Sequence, residues 1–227
     1  MLKNTMIVLV GVNFLMSCNL SQEKKILYQK SDSLTQSNEK PSKNDTLKED
    51  FVKIHFDSLG LINKMAYATE KNFTKQKIYP CAECYLRNEV AKALIKANEL
   101  AKKQNLKIVI YDCYRPLSIQ KRMYDIVKNT NYVAYPSKGS KHNKGCAVDV
   151  GLADFENNLL NMGTEFDDFS ENSHYSNTAF NSEERRNRKI LRKLMIEAKF
   201  LPYDKEWWHF NFINSNYQNS DFQWKCF

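Results

Sequence analysis

The tightest constraint in this sequence is a carboxylate set into an apolar strand. Cys146-Ala-Val-Asp-Val150 places Asp149 between two valines. An ionised Asp is costly to bury unless a cation or hydrogen-bond donors meet it. Any fold that uses this strand internally must bring Asp149 a partner. The preceding residues supply a candidate: residues 137–145 read as a loop, with His142 seven positions ahead of Asp149. Gly145 lets that loop turn tightly, returning the imidazole toward the carboxylate.

A second cluster lies near the C-terminus, where Glu206-Trp-Trp-His209-Phe210 sets a carboxylate and an imidazole among aromatic residues. Two His and one Asp form a donor set suited to zinc, with a fourth position left for water. Glu206 would then stand beside the metal as general base. The pattern differs from the HExxH helix, because Glu precedes His and other donors come from far away in sequence. Plainer readings of the same residues remain open. The four His are His55, His142, His174 and His209; His142 fits an exposed loop residue, and His209 a core residue bonded to backbone. Asp149 fits a turn cap or a partner for Arg115, and Trp207 and Trp208 fit core walls.

The rest of the folded part reads as mixed elements. Residues 51–56 and 62–67 are short strand candidates separated by a turn at 57–60. Apolar residues at 86, 90, 94, 97 and 100 predict an amphipathic helix over 86–106. Residues 106–112 follow as a core strand, and Pro116 opens a helix continuing through 119–127. Residues 153–182 are polar and irregular, with Phe155, Phe166 and Phe169 as anchors. Ser182 is the expected N-cap of a helix reaching about Lys199, and residues 207–212 form an aromatic strand. Helices and strands are segregated, which predicts an α+β class with an antiparallel sheet.

The N-terminus has a different character. Lys3, an apolar run over 6–16, then Ser17 and Cys18 describe an export signal. Leu15-Met16-Ser17-Cys18 resembles a bacterial lipobox, which makes Cys18 the lipidated first residue after cleavage; an ordinary secretory signal or uncleaved anchor is the alternative. Residues 18–50 are too polar to offset the entropy of ordering them and read as a tether. The expected organisation is therefore a lipoprotein signal peptide at 1–17, a tether at 18–50 and a folded domain at 51–227. The protein would be exported and held in the cell envelope, on the periplasmic side, by a lipid on Cys18.

The formal net charge is +8, which favours anionic partners. Basic residues are scattered among acidic ones, however, and no basic motif alternates with stacking aromatics, so the charge reads as a well-solvated basic surface and no nucleic-acid partner is expected. No obligate protein partner is evident. Setting Cys18 aside leaves Cys81, Cys84, Cys113, Cys146 and Cys226, enough for at most two disulfides whose pairing stays open. Cys81-Ala-Glu-Cys84 follows Tyr79-Pro80 instead of closing a strand into a redox site, so it reads as structural. No second close pair supports a four-Cys zinc site.

Five segments in order carry a family resemblance: Tyr67-Ala-Thr-Glu-Lys-Asn-Phe73, Tyr111-Asp-Cys-Tyr-Arg-Pro116, Ser140-x-His142-x-x-Gly-x-Ala-x-Asp149, Met162-Gly-Thr-Glu-Phe-Asp167 and Glu206-Trp-Trp-His209. Together they resemble the D-alanyl-D-alanine dipeptidases of the zinc D,D-peptidase family, peptidase family M15. The resemblance implies a compact α+β zinc D,D-peptidase fold, with a central antiparallel sheet flanked by helices. It implies one Zn²⁺ per chain on His142, Asp149 and His209. Glu206 falls on the catalytic carboxylate, Arg115 on the transition-state arginine, and Ser140, Asp167 and Tyr67 on substrate-pocket positions. Cys113 departs from the family, standing where resembling enzymes often carry Gly; a thiol there, or a disulfide to Cys146, would shift the strand presenting Arg115.

The implied reaction is hydrolysis of D-Ala-D-Ala to two D-alanines. A D,D- or L,D-carboxypeptidase or endopeptidase acting on peptidoglycan stem peptides is the enzymatic alternative. A non-catalytic, zinc-stabilised wall-binding lipoprotein is the alternative of a different class.

Overall fold

The computed structural model describes residues 51–130 and 132–226. The expected signal peptide at 1–17, the expected tether at 18–50 and Cys18 lie outside the described residues. In chain order the elements are β1 (Phe51–Ile54), α1 (Phe56–Leu59), β2 (Ile62–Asn63), β3 (Cys84–Arg87), α2 (Asn88–Lys102), β4 (Lys107–Asp112), α3 (Leu117–Val127), β5 (Ala147–Ala153), α4 (Ser182–Glu197), β6 (Phe200–Tyr203) and β7 (Glu206–Phe212). Short 3₁₀ turns occur at Ala66–Ala68, His142–Lys144 and Glu171–Ser173.

The class is α+β, as expected, but the central sheet is mixed. Its five strands run β2-β4-β5-β7-β6. β4, β5, β7 and β6 are antiparallel neighbours, whereas β2 lies parallel to β4. β1 and β3 form a separate antiparallel pair. That pairing explains why the predicted helix begins late: Leu86 and Arg87 complete a strand, and the helix starts at Asn88. Only Ile62–Asn63 of the second strand candidate is extended, because the chain turns into a 3₁₀ helix at Ala66.

Alternation on β5 divides the sheet into two faces. Val148, Val150 and Leu152 point into the core with Ile108 and Ile110 of β4 and Phe210 and Phe212 of β7. α2 and α4 cover that face, α2 packing on β4 and α4 on β5, β6 and β7. α2 contributes Val90, Ala91, Leu94, Ala97 and Ala101, the 3–4 spacing that makes one apolar stripe. Asp149 is left on the opposite face.

The helix after the irregular segment is capped by Asn181, not Ser182. The Asn181 side chain accepts from the Glu183 and Glu184 amides at 2.9 and 3.0 Å, and Glu184 accepts the Asn181 N–H at 3.0 Å. β6 escaped the sequence reading because Pro202 interrupts it; it is an edge strand, where proline is tolerated. Phe166 and Phe169 do pack on the core, but Phe155 is exposed.

Two disulfides form, Cys84–Cys113 and Cys81–Cys226, and Cys146 is a buried thiol. The considered Cys113–Cys146 bridge is therefore corrected: Cys113 is tied to β3 instead. Among the described residues, no helix is long and apolar enough to cross a membrane.

Candidate metal centre and active site

Strand register builds most of the site. Asp149 of β5 is opposed by His209 of β7 on one side and by Asp112 of β4 on the other. His142 arrives from the 3₁₀ turn preceding β5. Gly145 ends that turn at φ +69°, and a Cβ there would come within 2.6 Å of Phe51 Cε1. Only glycine fits both the backbone and the space.

His142 Nε2, His209 Nδ1 and Asp149 Oδ1 form a nearly equilateral triangle. Its sides are 3.2 Å between the imidazoles, 3.3 Å from His142 to Asp149 and 2.9 Å from His209 to Asp149. Donors about 2.0–2.1 Å from a tetrahedral zinc stand about 3.3 Å apart, so three ligand vertices are already in place. His142, Asp149 and His209 are the His/Cys/Asp/Glu group among the described residues whose donor atoms converge in this way.

Both imidazoles have an acceptor at the outer nitrogen. His142 Nδ1 lies 2.7 Å from the Cys113 carbonyl, and His209 Nε2 lies 3.0 Å from Asn211 Oδ1. With an N–H on each outer nitrogen, the inner nitrogens are free to serve as metal donors. The donors thus fit a zinc ion by chemistry and spacing.

Arg115 does not pair with Asp149, as one sequence reading had it. Its guanidinium donates to Asp112 Oδ2 at 2.6 Å and to Gln120 Oε1 at 3.0 Å. Asp112 is in turn held by Tyr79 Oη at 2.7 Å and the Cys113 amide at 2.9 Å. Arg115 Nε is enclosed and has no hydrogen-bond partner among the described residues. Asn143 secures the backbone around it, donating to the Arg115 carbonyl at 2.8 Å and accepting from the Ser140 amide at 2.6 Å.

One cavity of about 330 Å³ is lined by all eight predicted catalytic, metal and substrate-pocket residues: Tyr67, Arg115, Ser140, His142, Asp149, Asp167, Glu206 and His209. Of the five buried side-chain polar atoms without a partner among the described residues, three line it: Arg115 Nε, Ser140 Oγ and Asp167 Oδ2. Unpaired buried polar atoms each cost about 1–3 kcal/mol, so their concentration marks a surface shaped for a polar ligand. The other oxygen of Asp167 accepts from Tyr67 Oη at 3.0 Å. Burial, helped by the negative charge of Asp149, raises the Asp167 carboxyl well above the usual carboxylate range.

Glu206 opens β7 after a two-residue turn, and the β6/β7 register shifts between Pro202 and Tyr203. That shift breaks strict alternation, and Glu206 and His209 both line the cavity. Burial raises the Glu206 carboxyl above its ordinary value. Phe73, Phe169, Tyr132, Tyr203 and Trp208 complete an aromatic wall.

The family model described as D-ala-D-ala dipeptidase matches residues 51–226, essentially all of the described domain. The chain belongs to the M15 peptidase family. Family membership together with the donor triad makes it a zinc metallopeptidase. A D-alanyl-D-alanine dipeptidase of Escherichia coli is 34% identical over 165 residues, 72% of this chain and 86% of that protein. One from Enterococcus faecium is 30% identical over 69% of this chain and 88% of the relative. A solved vancomycin-resistance D,D-dipeptidase bound to a D-Ala-D-Ala phosphinate analog aligns at 20% identity and TM-score 0.39, over 72% of this chain and 67% of that chain.

Sequence reasoning missed the residues that hold this M15 site in shape: Asp112, Gln120, Asn143 and Asn211. Asp112 carried a readable signal, a carboxylate ending the apolar run Ile108-Val-Ile110, which is the signature that exposed Asp149. The other three are amides whose roles depend on contacts made by the fold.

Proposed function

We propose that this peptidase hydrolyses free D-alanyl-D-alanine to two D-alanines in the cell envelope, with one zinc held by His142, Asp149 and His209. The observation that carries this reading is the set of three orphaned polar atoms around the donor triangle in one small cavity. A free dipeptide brings an ammonium and a carboxylate close to its scissile bond, and each orphan has a matching charge or dipole. Asp167 Oδ2 takes the ammonium, whose arrival reverses the upward shift of that carboxyl. Ser140 Oγ takes the carboxylate. Longer peptides lack one of these termini at the right distance and leave a buried group unpaired.

Zinc in this site supplies Lewis acidity, polarising the scissile carbonyl and acidifying water. Glu206 accepts the proton of the attacking water and passes it to the departing amine. Its raised pKa suits it to both steps. Arg115, with its terminal nitrogens engaged by Asp112 and Gln120, presents Nε–H to the developing oxyanion. Tyr67 orients Asp167 through its hydroxyl.

The Leu15-Met16-Ser17-Cys18 sequence supports export and lipid anchorage through Cys18, with residues 18–50 as tether and 51–227 as the catalytic domain. Peptidoglycan fragments are then the available source of substrate.

One observation favours a second reading. Tyr132 and Tyr203 line the cavity yet are 48% and 42% exposed, so its mouth opens to solvent. An open mouth would admit a carboxypeptidase or endopeptidase substrate with a longer stem. A panel of D-Ala-D-Ala, L-Ala-D-Ala, tripeptides and muropeptides, tested on zinc-loaded protein, separates the two. Rapid cleavage confined to the free D,D-dipeptide is expected. Cleavage only of longer stems would replace the first reading with the second.

A further inference from the structure

Cys113 sits directly behind the donor triangle. Its carbonyl receives His142 Nδ1–H at 2.7 Å, and its amide donates to Asp112 Oδ1, the carboxylate that anchors Arg115. Yet sheet pairing does not hold it. The β4/β5 register shifts between Ile110 and Asp112, and Asp112 is the last residue of β4 paired to β5. Past that point the chain is held on two sides: Arg115 donates its N–H to the His142 carbonyl at 3.1 Å and accepts from Asn143 at 2.8 Å, while Cys113 and Tyr114 are fixed to the β1/β3 ribbon. Cys113 is bonded to Cys84 of β3, and the next residue, Tyr114, donates its N–H to the Tyr85 carbonyl at 3.0 Å.

A carbonyl that sets the orientation of a ligating imidazole must itself be fixed, because its position passes to the metal–nitrogen vector. Here the covalent fixture is the sulfur bridge. We propose that the Cys84–Cys113 disulfide is a positioning element of the metal centre, setting zinc affinity by locating the Cys113 carbonyl against His142. This inference rests on the reading of His142 as a ligand. The second bridge, Cys81–Cys226, serves as an internal comparison: it starts three residues away in the same segment but ends in the C-terminal tail.

The test uses the whole protein and two variants, Cys84→Ser/Cys113→Ser and Cys81→Ser/Cys226→Ser. Zinc affinity is measured by competition with a chromophoric chelator, and the site is read independently by the absorption spectrum of cobalt(II) in place of zinc. The first variant is expected to bind zinc about tenfold more weakly, the usual scale for loosening an outer contact to a ligand. Its cobalt spectrum should change. The second variant is expected to lose thermal stability but keep wild-type zinc affinity and spectrum.

The proposal falls if the folded first variant matches wild type in both metal readouts. It falls equally if both variants lose affinity alike, since that would be general destabilisation. Should the first variant not fold, the folded Cys81→Ser/Cys226→Ser protein, which keeps the Cys84–Cys113 bridge alone, is reduced with a phosphine and its thiols blocked; unchanged zinc affinity then overturns the proposal and a tenfold loss supports it. Failure of the ligand reading looks different, because zinc affinity would then survive His142→Ala in an otherwise normal protein.

Discussion

Asp149 Oδ1 lies 2.9 Å from His209 Nδ1, and the two residues are direct register partners across β5 and β7. A carboxylate that looked costly in its strand is thus placed by sheet pairing itself against an imidazole with which it can hold a metal. The same carboxylate faces His142 at 3.3 Å, so a cation at this point resolves its burial.

Metal removal tests that arrangement. Chelation should abolish hydrolysis, and added zinc should restore it. Zinc at about a thousand times its Kd stabilises a binding-competent fold by about 4 kcal/mol, which is about 10 °C in Tm for a domain of this size. Calorimetry with and without zinc should show this shift, and Asp149→Asn should erase most of it.

Glu206→Gln keeps the shape of the side chain but cannot accept a proton. It should lower kcat by about 10² to 10⁴ with zinc content unchanged. Burial disfavours the charged form of Glu206 and raises its pKa. The proposed base is the ionised form, so kcat/KM should fall on acidification through that raised value, above the range of an ordinary glutamate. A pH profile of kcat/KM in which the acid limb lies in the ordinary range would contradict the assignment.

Arg115→Ala should reduce kcat by about 10² to 10³ with a smaller change in KM, because the lost donor acts on developing charge. Arg115→Lys should recover little of this, lacking the planar fork that Asp112 and Gln120 hold. Steady-state kinetics on the two variants decide the point.

Asp167→Asn should act on binding. KM for the free dipeptide should rise by about tenfold or more, the scale of a charge-assisted hydrogen bond, and discrimination against N-acetylated dipeptide should relax. An unchanged preference for the free amine would remove Asp167 from the ammonium site.

Gly145→Ala tests the turn that delivers His142. At φ +69° with Phe51 Cε1 only 2.6 Å from the added methyl, the variant should lose about 1–3 kcal/mol of stability. Denaturant unfolding measures it.

Which charged groups need partners was legible in the amino-acid order alone. Asp149 in an apolar strand, His142 beside a glycine turn and Glu206 with His209 among aromatics each announce a charged group that needs a partner, because burial makes unpaired charge expensive. The same order also determined the long elements, whose 3–4 and alternating patterns reflect one buried face, as at Val90, Leu94 and Ala97 of α2. Pairing, by contrast, came from the fold. The parallel placement of β2, the choice of Cys84 over Cys146 for Cys113, and the transfer of Arg115 to Asp112 all depend on which distant segments meet. Gln120 and Asn211 were invisible for the same reason: an amide side chain has no preferred partner in one dimension, and acquires a role only when the fold sets a guanidinium or an imidazole against it.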